Sequence, residues 1–202
     1  MNKALFFKII LYFSLIGMFI FSLLFVLYVY NISKINESSK SIADSFSLSY
    51  LYSNNPSYSI STNTLDNSTS TSFNNFVIGI IKIDKLKLDY PILSEESEEL
   101  LKIAPCRFAG PMPNEIGNLC IAGHNYIDNT FFARISSLTF GDEIKIYGID
   151  GNLVKYSVFN KTEVESSDLS CTEQNTFGKR IVTLMTCNSI KKTRIIIQAA
   201  EV

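Results

Sequence analysis

The hydrophobic positions of the chain fall into zones of different pattern, and the first zone is a continuous apolar run. Residues 9–30 contain no charged side chain. About 20 apolar residues cross the hydrocarbon core of a bilayer as a helix, so the run predicts a transmembrane helix. The run is longer than the apolar region of a cleavable signal peptide, and no A-x-A-like cleavage site follows it. We therefore expect an uncleaved signal-anchor.

The charges on either side of this run discriminate weakly between the two orientations. Lys3 and Lys8 precede it, and Lys34 and Lys40 follow it. We expect residues 1–8 to form a cytoplasmic N-terminus, because a single span at the start of a chain commonly acts as a signal-anchor. The expected location is the cell membrane, with a single pass and with the rest of the chain extracellular.

A polar zone follows, and we assign residues 31–75 to an extracytoplasmic linker. Residues 53–75 are dominated by Ser, Asn and Thr and lack apolar periodicity. This composition cannot bury enough surface to offset chain entropy, which predicts a flexible segment. Within residues 31–52, helical spacing of the apolar side chains leaves a juxtamembrane helix open. The side chains concerned are Ile35, Ile42, Phe46 and Tyr50.

From residue 76 onward, short β-branched or alternating runs are separated by turn residues, which is typical of strands. Asp150-Gly151 between two of these runs is a hairpin signal. Residues 94–103 and 129–136 predict short helices. Seven or eight strands with few helices imply an all-β sandwich or barrel, and residues 76–202 are enough for one core. The predicted strands cover residues 77–83, 86–92, 119–123, 143–148, 153–159, 180–187 and 193–199.

Composition removes several functional classes. The chain has 18 basic and 19 acidic residues, whereas a nucleic-acid binder usually has a basic excess, so we expect no nucleic-acid partner. The hydrophobic content of 47% excludes a disordered chain. The single histidine excludes a zinc site built from several histidines. Nucleophilic catalysis remains open, and it must use His124.

Three chemically active side chains lie at the ends of predicted strands. His124 follows one apolar run, Cys187 ends another, and Arg194 begins the last. Strand ends of an all-β domain converge on a rim, so these residues can meet. A thiolate can attack a carbonyl, an imidazole can transfer the proton, and a guanidinium can hold an oxyanion. Together they suffice for acyl transfer through a thioester.

The segments around these residues resemble the sortase family. Residues 183–187 (TLMTC) are similar to the family's TLxTC motif, residues 122–125 (AGHN) surround the histidine, and Arg194 opens the final strand. The order His, Cys, Arg is also that of the family, and an N-terminal anchor with a linker completes the resemblance. It covers residues 76–202 as a catalytic domain and implies an eight-stranded β-barrel, which agrees with the strand count.

The resemblance implies a membrane-anchored cysteine transpeptidase that cleaves an LPxTG-type sorting signal between Thr and Gly. Cys187 would form the acyl-thioester, His124 would protonate the leaving amine, and Arg194 would stabilise the oxyanion. Thr186 and Asn125 are the expected substrate-binding residues. The implied partners are surface proteins with a C-terminal sorting signal, an amine acceptor of the peptidoglycan precursor or of a pilin, and the membrane.

The departures from the family pattern favour the class D or A type over B or C. Residues 160–180 show no long added helix of the class B kind, and the absence of Trp excludes an Asp-Pro-Trp-like lid motif.

The main alternative is a non-catalytic, membrane-tethered β-domain that binds a wall polymer or a protein partner. A papain-like hydrolase would need its Cys before its His, the reverse of the order here.

The remaining thiols and carboxylates leave two further questions open. If Cys187 is a free thiolate, Cys106, Cys120 and Cys171 are an odd number that cannot all pair, which favours free thiols. We expect no metal and no cofactor, with Ca²⁺ as the alternative, since carboxylate oxygens suit it and some family members bind it. The acidic run lacks EF-hand spacing and is typical of a solvated helix face. It consists of Glu95, Glu96, Glu98 and Glu99.

Overall fold

The computed structural model describes residues 11–31, 33, 34, 37, 76–126, 129–188 and 190–202. The chain divides after Glu37 into two units, which are described separately. In the first, helix α1 (Leu11–Asn31) is long and apolar enough to cross a membrane. It coincides with most of the predicted span. The predicted linker and juxtamembrane helix lie almost entirely outside the described residues.

The second unit is a closed barrel of eight strands in the order β1-β2-β3-β4-β7-β8-β6-β5. This confirms the predicted all-β fold. Closure pairs β1 with β5, so neither is left as an edge that could pair with another chain. The strands are β1 (Val77–Ile83), β2 (Leu88–Leu93), β3 (Cys106–Ala109), β4 (Gly117–Ala122), β5 (Glu143–Gly148), β6 (Leu153–Glu165), β7 (Arg180–Asn188) and β8 (Thr193–Glu201).

Two of the neighbouring pairs are parallel, and one of them positions the site. β2 meets β3 in parallel at a single matched pair, whereas β4 and β7 are parallel over six. Parallel neighbours need a long crossover, which β5 and β6 supply here. Because β4 and β7 run in the same direction, the residues that follow β4 and those that end β7 reach the same rim of the barrel.

The helices are shorter than the sequence predicts. Helix α2 (Glu98–Leu101) keeps only four of the ten residues predicted at 94–103, and the hydroxyl of Ser97 caps it by accepting from the amide of Leu100 at 3.1 Å. The predicted helix at 129–136 is wrong. Asn129 and Phe131 have positive φ angles of 66° and 48°, which an α-helix cannot contain, and only Ile135–Ser137 forms a 3-10 turn.

The strands differ from prediction at two places. β3 was not predicted, because a stretch of four residues offers too short an alternation to recognise. β6 runs six residues past the predicted end at residue 159. That extension is mostly polar, from Asn160 to Glu165, and it is ordered by pairing with β8. Pairing across the sheet therefore outweighs the local composition of this segment.

Three neighbouring strands, β4, β7 and β8, bury side chains on both faces. The face toward the barrel interior, here called the inner face, carries aliphatic side chains no more than 3% exposed. They are Leu119, Ile121, Val182, Leu184, Ile197 and Ala199. The opposite, outer face carries a separate cluster around Cys120, Met185 and Ile196. Cys171, from the loop between β6 and β7, packs against that cluster.

Candidate active site

Strand register places Cys187 between Arg194 and His124. Cys187 and Arg194 are matched partners of β7 and β8. On the other side, Ala122 is the partner of Met185, and the amide of Gly123 continues the ladder by donating to the Met185 carbonyl at 3.0 Å. This continuation puts His124 level with Cys187. Adjacent strands lie about 4.8 Å apart, so the backbone positions of the three residues form one row, here called the site row.

A second row lies beside the site row on the same outer face. Ala122, Met185 and Ile196 are matched across the three strands, and each lies two residues along its strand from a member of the site row. Side chains two residues apart on a strand point to the same face. We call this the apolar row. It gives the site row a hydrophobic floor on one side.

Cys187 is the one exposed residue of β7 and follows five buried residues of that strand, 182–186. Its side chain is exposed, whereas Met185 and Thr186 before it are buried. The backbone around it is held, because the Nδ2 of Asn125 donates to the Cys187 carbonyl at 2.9 Å. The thiol is thus presented to solvent on a fixed backbone, as a nucleophile requires.

His124 is half-buried and held by its neighbours. Its carbonyl accepts from the amide of Phe132 at 3.0 Å, and the Tyr126 ring lies 4.9 Å from the imidazole, centroid to centroid. The preceding residue must be a glycine, because a Cβ on Gly123 would lie 2.7 Å from the Phe132 ring. The chain directly after β4 therefore passes close against the Phe132 ring.

The electrostatic environment of His124 favours the neutral imidazole. Burial lowers the pKa of His124 below its ordinary value of 6.5, and the positive charge of Lys102 lowers it further, while Glu98 opposes both. Desolvation disfavours the charged form of a histidine, which explains the dominant contribution. At neutral pH the ring can therefore accept a proton from a neighbouring group.

Arg194 brings an unsatisfied donor to the site. Its Nη1 is buried and has no hydrogen-bond partner among the residues that the structure describes. An unpaired buried donor costs about 1–3 kcal/mol, more when charged, which a bound oxygen atom would recover. Since Arg194 is the strand partner of Cys187, that oxygen could belong to a carbonyl under attack by the thiol.

Comparison with known proteins identifies the family of the domain. The Sortase domain family model matches residues 81–202. The chain belongs to the sortase family. Sortase A of Bacillus anthracis is 33% identical over 116 residues, which are 57% of this chain and 54% of that protein. The match thus spans about half the length of this curated relative.

Solved sortase structures share the fold. A Clostridium perfringens sortase D5 transpeptidase has a TM-score of 0.63 at 24% identity, with 82% of this chain and 99% of that one covered. Listeria monocytogenes sortase A has a TM-score of 0.58 at 19% identity, with 63% and 88% covered. A Clostridium perfringens sortase C solved with the C-terminal cell wall sorting motif has 0.56 at 20%, with 84% and 94% covered. At these identities the likeness supports the fold, and the class D or A assignment stays a prediction.

The two residues predicted to bind substrate take different places in this sortase. Thr186 is buried, and its hydroxyl donates to the Gly123 carbonyl at 2.7 Å. Alternation along β7 puts it on the inner face, opposite to Cys187. Asn125 is half-buried at the rim, and its side-chain amide donates a hydrogen bond to the Cys187 carbonyl. Substrate contacts of both stay predictions, and the position of Thr186 favours a structural role.

The other cysteines of the sortase domain are free thiols, as the odd count favours. Cys106 and Cys120 are fully buried, and burial raises the pKa of each to about 12. Cys171 is half-buried, and burial raises its pKa as well. Because the thiolate is the reactive form, these three are poor nucleophiles beside the exposed Cys187.

The acidic run of the sortase lies just before helix α2 and in its first turn, and its side chains are exposed to solvent. Glu98 pairs with Lys102 at 3.4 Å across one helical turn. Over the described ranges, no three His, Cys, Asp or Glu side chains are grouped so that they could hold a metal ion. The expectation of no metal stays a prediction, with calcium binding through Glu95, Glu96, Glu98 and Glu99 as its alternative.

The polar residues that brace the outer face belong to no sequence motif. Asn118 begins the apolar run of β4 and is 2% exposed, and the motifs around the site row do not include it. A polar amide in a buried strand is itself a signal, since buried polar side chains need hydrogen-bond partners. Those partners come from the loop between β6 and β7, which local pattern could not place.

Proposed function

We propose that this protein is a membrane-anchored cysteine transpeptidase. It cleaves a sorting signal of the LPxTG type and joins the new carboxyl end to an amine of the cell wall precursor or of a pilin. The observation that carries the proposal is the site row, in which the exposed Cys187 lies between His124 and Arg194 on neighbouring strands. Membership of the sortase family supports the same activity.

In the first half of the reaction, the Cys187 thiol passes its proton to the imidazole of His124. The resulting thiolate attacks the Thr carbonyl of the signal, and the new C–S bond pushes the carbonyl electrons onto oxygen. The guanidinium of Arg194 donates to that oxyanion. The C–N bond then breaks, and the amine leaves with the proton held by His124.

In the second half, the acceptor amine attacks the acyl-thioester. His124 takes a proton from the attacking nitrogen and returns it to sulfur as the C–S bond breaks. The new amide leaves, and the thiol is restored. The lowered pKa of His124 suits this cycle, because the ring starts neutral and is charged only while it carries the proton in transit.

One residue of the apolar row is open to a sorting signal. Met185 and Ile196 are 4% and 0% exposed, so only the partly exposed Ala122 can contact a substrate. An apolar side chain of the signal would gain about 25 cal/mol for each Å² it buries there. The apolar helix α1 supports anchoring at the cell membrane. The proposed orientation has a cytoplasmic N-terminus and the catalytic domain outside.

The proposal is tested with the full chain in detergent, incubated with a fluorogenic LPxTG-type peptide and an amine nucleophile. We expect peptide cleavage, a peptide–amine product, and an acyl adduct on Cys187 in the intact mass. Cys187→Ala should lose turnover at least about a thousandfold, since it removes the nucleophile. Cys106→Ala is the matched control, because that thiol is buried in a different cluster.

The same experiment separates the enzyme from a binding domain. Equal activity of the wild-type protein and Cys187→Ala, with no adduct in either, would refute the transpeptidase. Binding of the peptide without turnover would then favour the non-catalytic, membrane-tethered domain.

A further inference from the structure

The loop between β6 and β7, residues 166–179, is fastened to the outer face by a buried amide. The Nδ2 of Asn118 donates to the carbonyl of Cys171 at 2.9 Å and to that of Glu173 at 3.1 Å. Both amide hydrogens of one side chain are therefore spent on the loop backbone.

A second amide, from the loop itself, reaches back to the backbone of the same residue. The Oε1 of Gln174 accepts from the main-chain amide of Asn118 at 3.3 Å, and the Nε2 of Gln174 donates to the main-chain carbonyl of Asn118 at 3.0 Å. The same Nε2 donates to the Thr172 carbonyl at 2.9 Å. Each amide thus holds the main chain around the other, and we call this pair, Asn118 and Gln174, the amide clamp.

The orientation of Asn118 is imposed by a chain of hydrogen bonds across four strands. Thr183 donates from its hydroxyl to the Oδ1 of Asn118 at 2.7 Å. Gln198 donates to the Thr183 hydroxyl at 3.4 Å, and Asn160 donates to the Oε1 of Gln198 at 2.9 Å. With its oxygen occupied on the strand side, Asn118 can present only its NH₂ group to the loop.

The clamped segment contacts the apolar row beside the site. Cys171 lies 3.7 Å from the sulfur of Met185, joining the cluster that contains the apolar row. Met185 is two residues from Cys187 on the same face of β7. The clamp therefore decides how closely the loop approaches the surface next to the nucleophile.

We propose that the amide clamp holds residues 171–174 against the outer face beside Cys187 and so sets the affinity for the sorting signal. Asn118 and Gln174 are positioning residues, since they act through the loop and not on the reacting atoms. This inference rests on the transpeptidase function proposed above and adds a residue-level cause for substrate affinity. The clamp itself stands on contacts that do not depend on the reaction.

Gln174 offers a mild test, because it is exposed and its loss leaves the barrel core intact. In the full chain, Gln174→Ala should speed amide hydrogen exchange of residues 170–176 and of Asn118, whose main-chain amide loses its acceptor, and leave that of β7 unchanged. Gln174→Glu should do the same in residues 170–176, since a carboxylate cannot donate to the Asn118 carbonyl. Lys179→Ala, an exposed position of the same loop, is the control and should change nothing.

Kinetics with the fluorogenic peptide test the effect on substrate. Gln174→Ala should raise KM about fivefold to tenfold, the scale of one or two lost hydrogen bonds, with kcat within about twofold of the wild type. Asn118→Asp should also raise KM, because it keeps the acceptor for Thr183 but loses both donors to the loop. A fall in kcat at constant KM would overturn the positioning role.

The two proposals fail in different ways. Unchanged hydrogen exchange in both Gln174 variants would overturn the clamp, whatever the activity. If the wild-type chain does not turn over the peptide, the transpeptidase proposal fails and the effect on affinity fails with it. The exchange measurement then still confirms or refutes the clamp.

Discussion

The inner and outer faces of β4, β7 and β8 are built from the same three strands but differ in kind. The inner face is aliphatic along most of its length, ending at Gly123 and Thr186 near the rim. The outer face changes along the strands from the amides of Asn118 and Gln198, through the apolar row, to the charged and reactive site row.

This difference shows how one strand can serve both stability and chemistry. Successive side chains of β7 alternate between the faces, so Leu184 and Thr186 pack inward while Met185 and Cys187 lie outward. The inner residues exclude water and hold the strands in register. The same register aligns His124, Cys187 and Arg194 on the outer face. Substitutions on the two faces should therefore have separable effects.

The largest separation is expected between Leu184 and Cys187. Leu184→Ala should lower the free energy of unfolding by about 2–5 kcal/mol, because it leaves a cavity in a fully buried site. Cys187→Ala should leave the unfolding free energy nearly unchanged, since that side chain is exposed. Denaturant unfolding of both variants measures this. Comparable destabilisation by the two substitutions would remove the distinction between the faces.

Arg194→Lys tests whether the site row needs a guanidinium or only a positive charge. We expect kcat/KM to fall about tenfold to a hundredfold, because an ammonium cannot present the planar set of donors. Lys191→Ala is the matched control nearby, where an exposed ion pair with Glu163 contributes less than about 1 kcal/mol. Wild-type activity in Arg194→Lys would contradict a directional role of the guanidinium.

Thiol reactivity compares cysteines that differ in burial. In the folded protein, iodoacetamide should modify Cys187 first and Cys171 more slowly. Cys120 and Cys106 should react only after unfolding, because burial raises their pKa to about 12 and blocks access. Peptide mass spectrometry after timed alkylation gives the order. Early modification of Cys120 would mean that the loop does not cover the outer face.

The smallest expected effect is the tuning of His124 by the charges beside it. Lys102→Gln should raise the pKa of His124 and Glu98→Gln should lower it, because these charges act in opposite directions. Histidine NMR titration of the full chain measures both, with His124 as the single signal. Equal shifts of the same sign would show that the two charges do not reach the ring.

The sign of the associated stability change follows from the same shift. The pKa of His124 is lower in the folded state, so the unfolded chain binds more protons between the two values. The stability contributed by a neutral His124 is therefore present above the unfolded pKa near 6.5 and is lost as pH falls through the window below it. A His124→Gln variant should lose this part of the pH dependence.

Much of the barrel was predictable because alternation is a local property. β1 and β5 begin and end where the sequence places them, and the starts of β6, β7 and β8 also agree. The stretch after His124 was not, since positive φ angles at Asn129 and Phe131 replace a helix that the residue pattern favours. Conformations of that kind are imposed by contacts such as the bridge between Asn125 and Phe131.

The candidate site divides in the same way. The chemical types of His124, Cys187 and Arg194, and their place at strand ends, could be read without coordinates. The inward position of Thr186 and the use of Asn125 on the Cys187 backbone could not, because both depend on partners about 60 residues away.

An apolar span, a β-rich domain and a set of reactive residues with sortase motifs are predictable segment by segment, because each segment carries its own hydrophobic period and side-chain chemistry. The parallel pairing of β4 with β7, the alignment of His124 with Cys187 and the attachment of the loop through Asn118 all depend on the folded barrel. Those features join segments separated by more than 50 residues. They arise when barrel closure satisfies all the strands together, which no single stretch of sequence can specify.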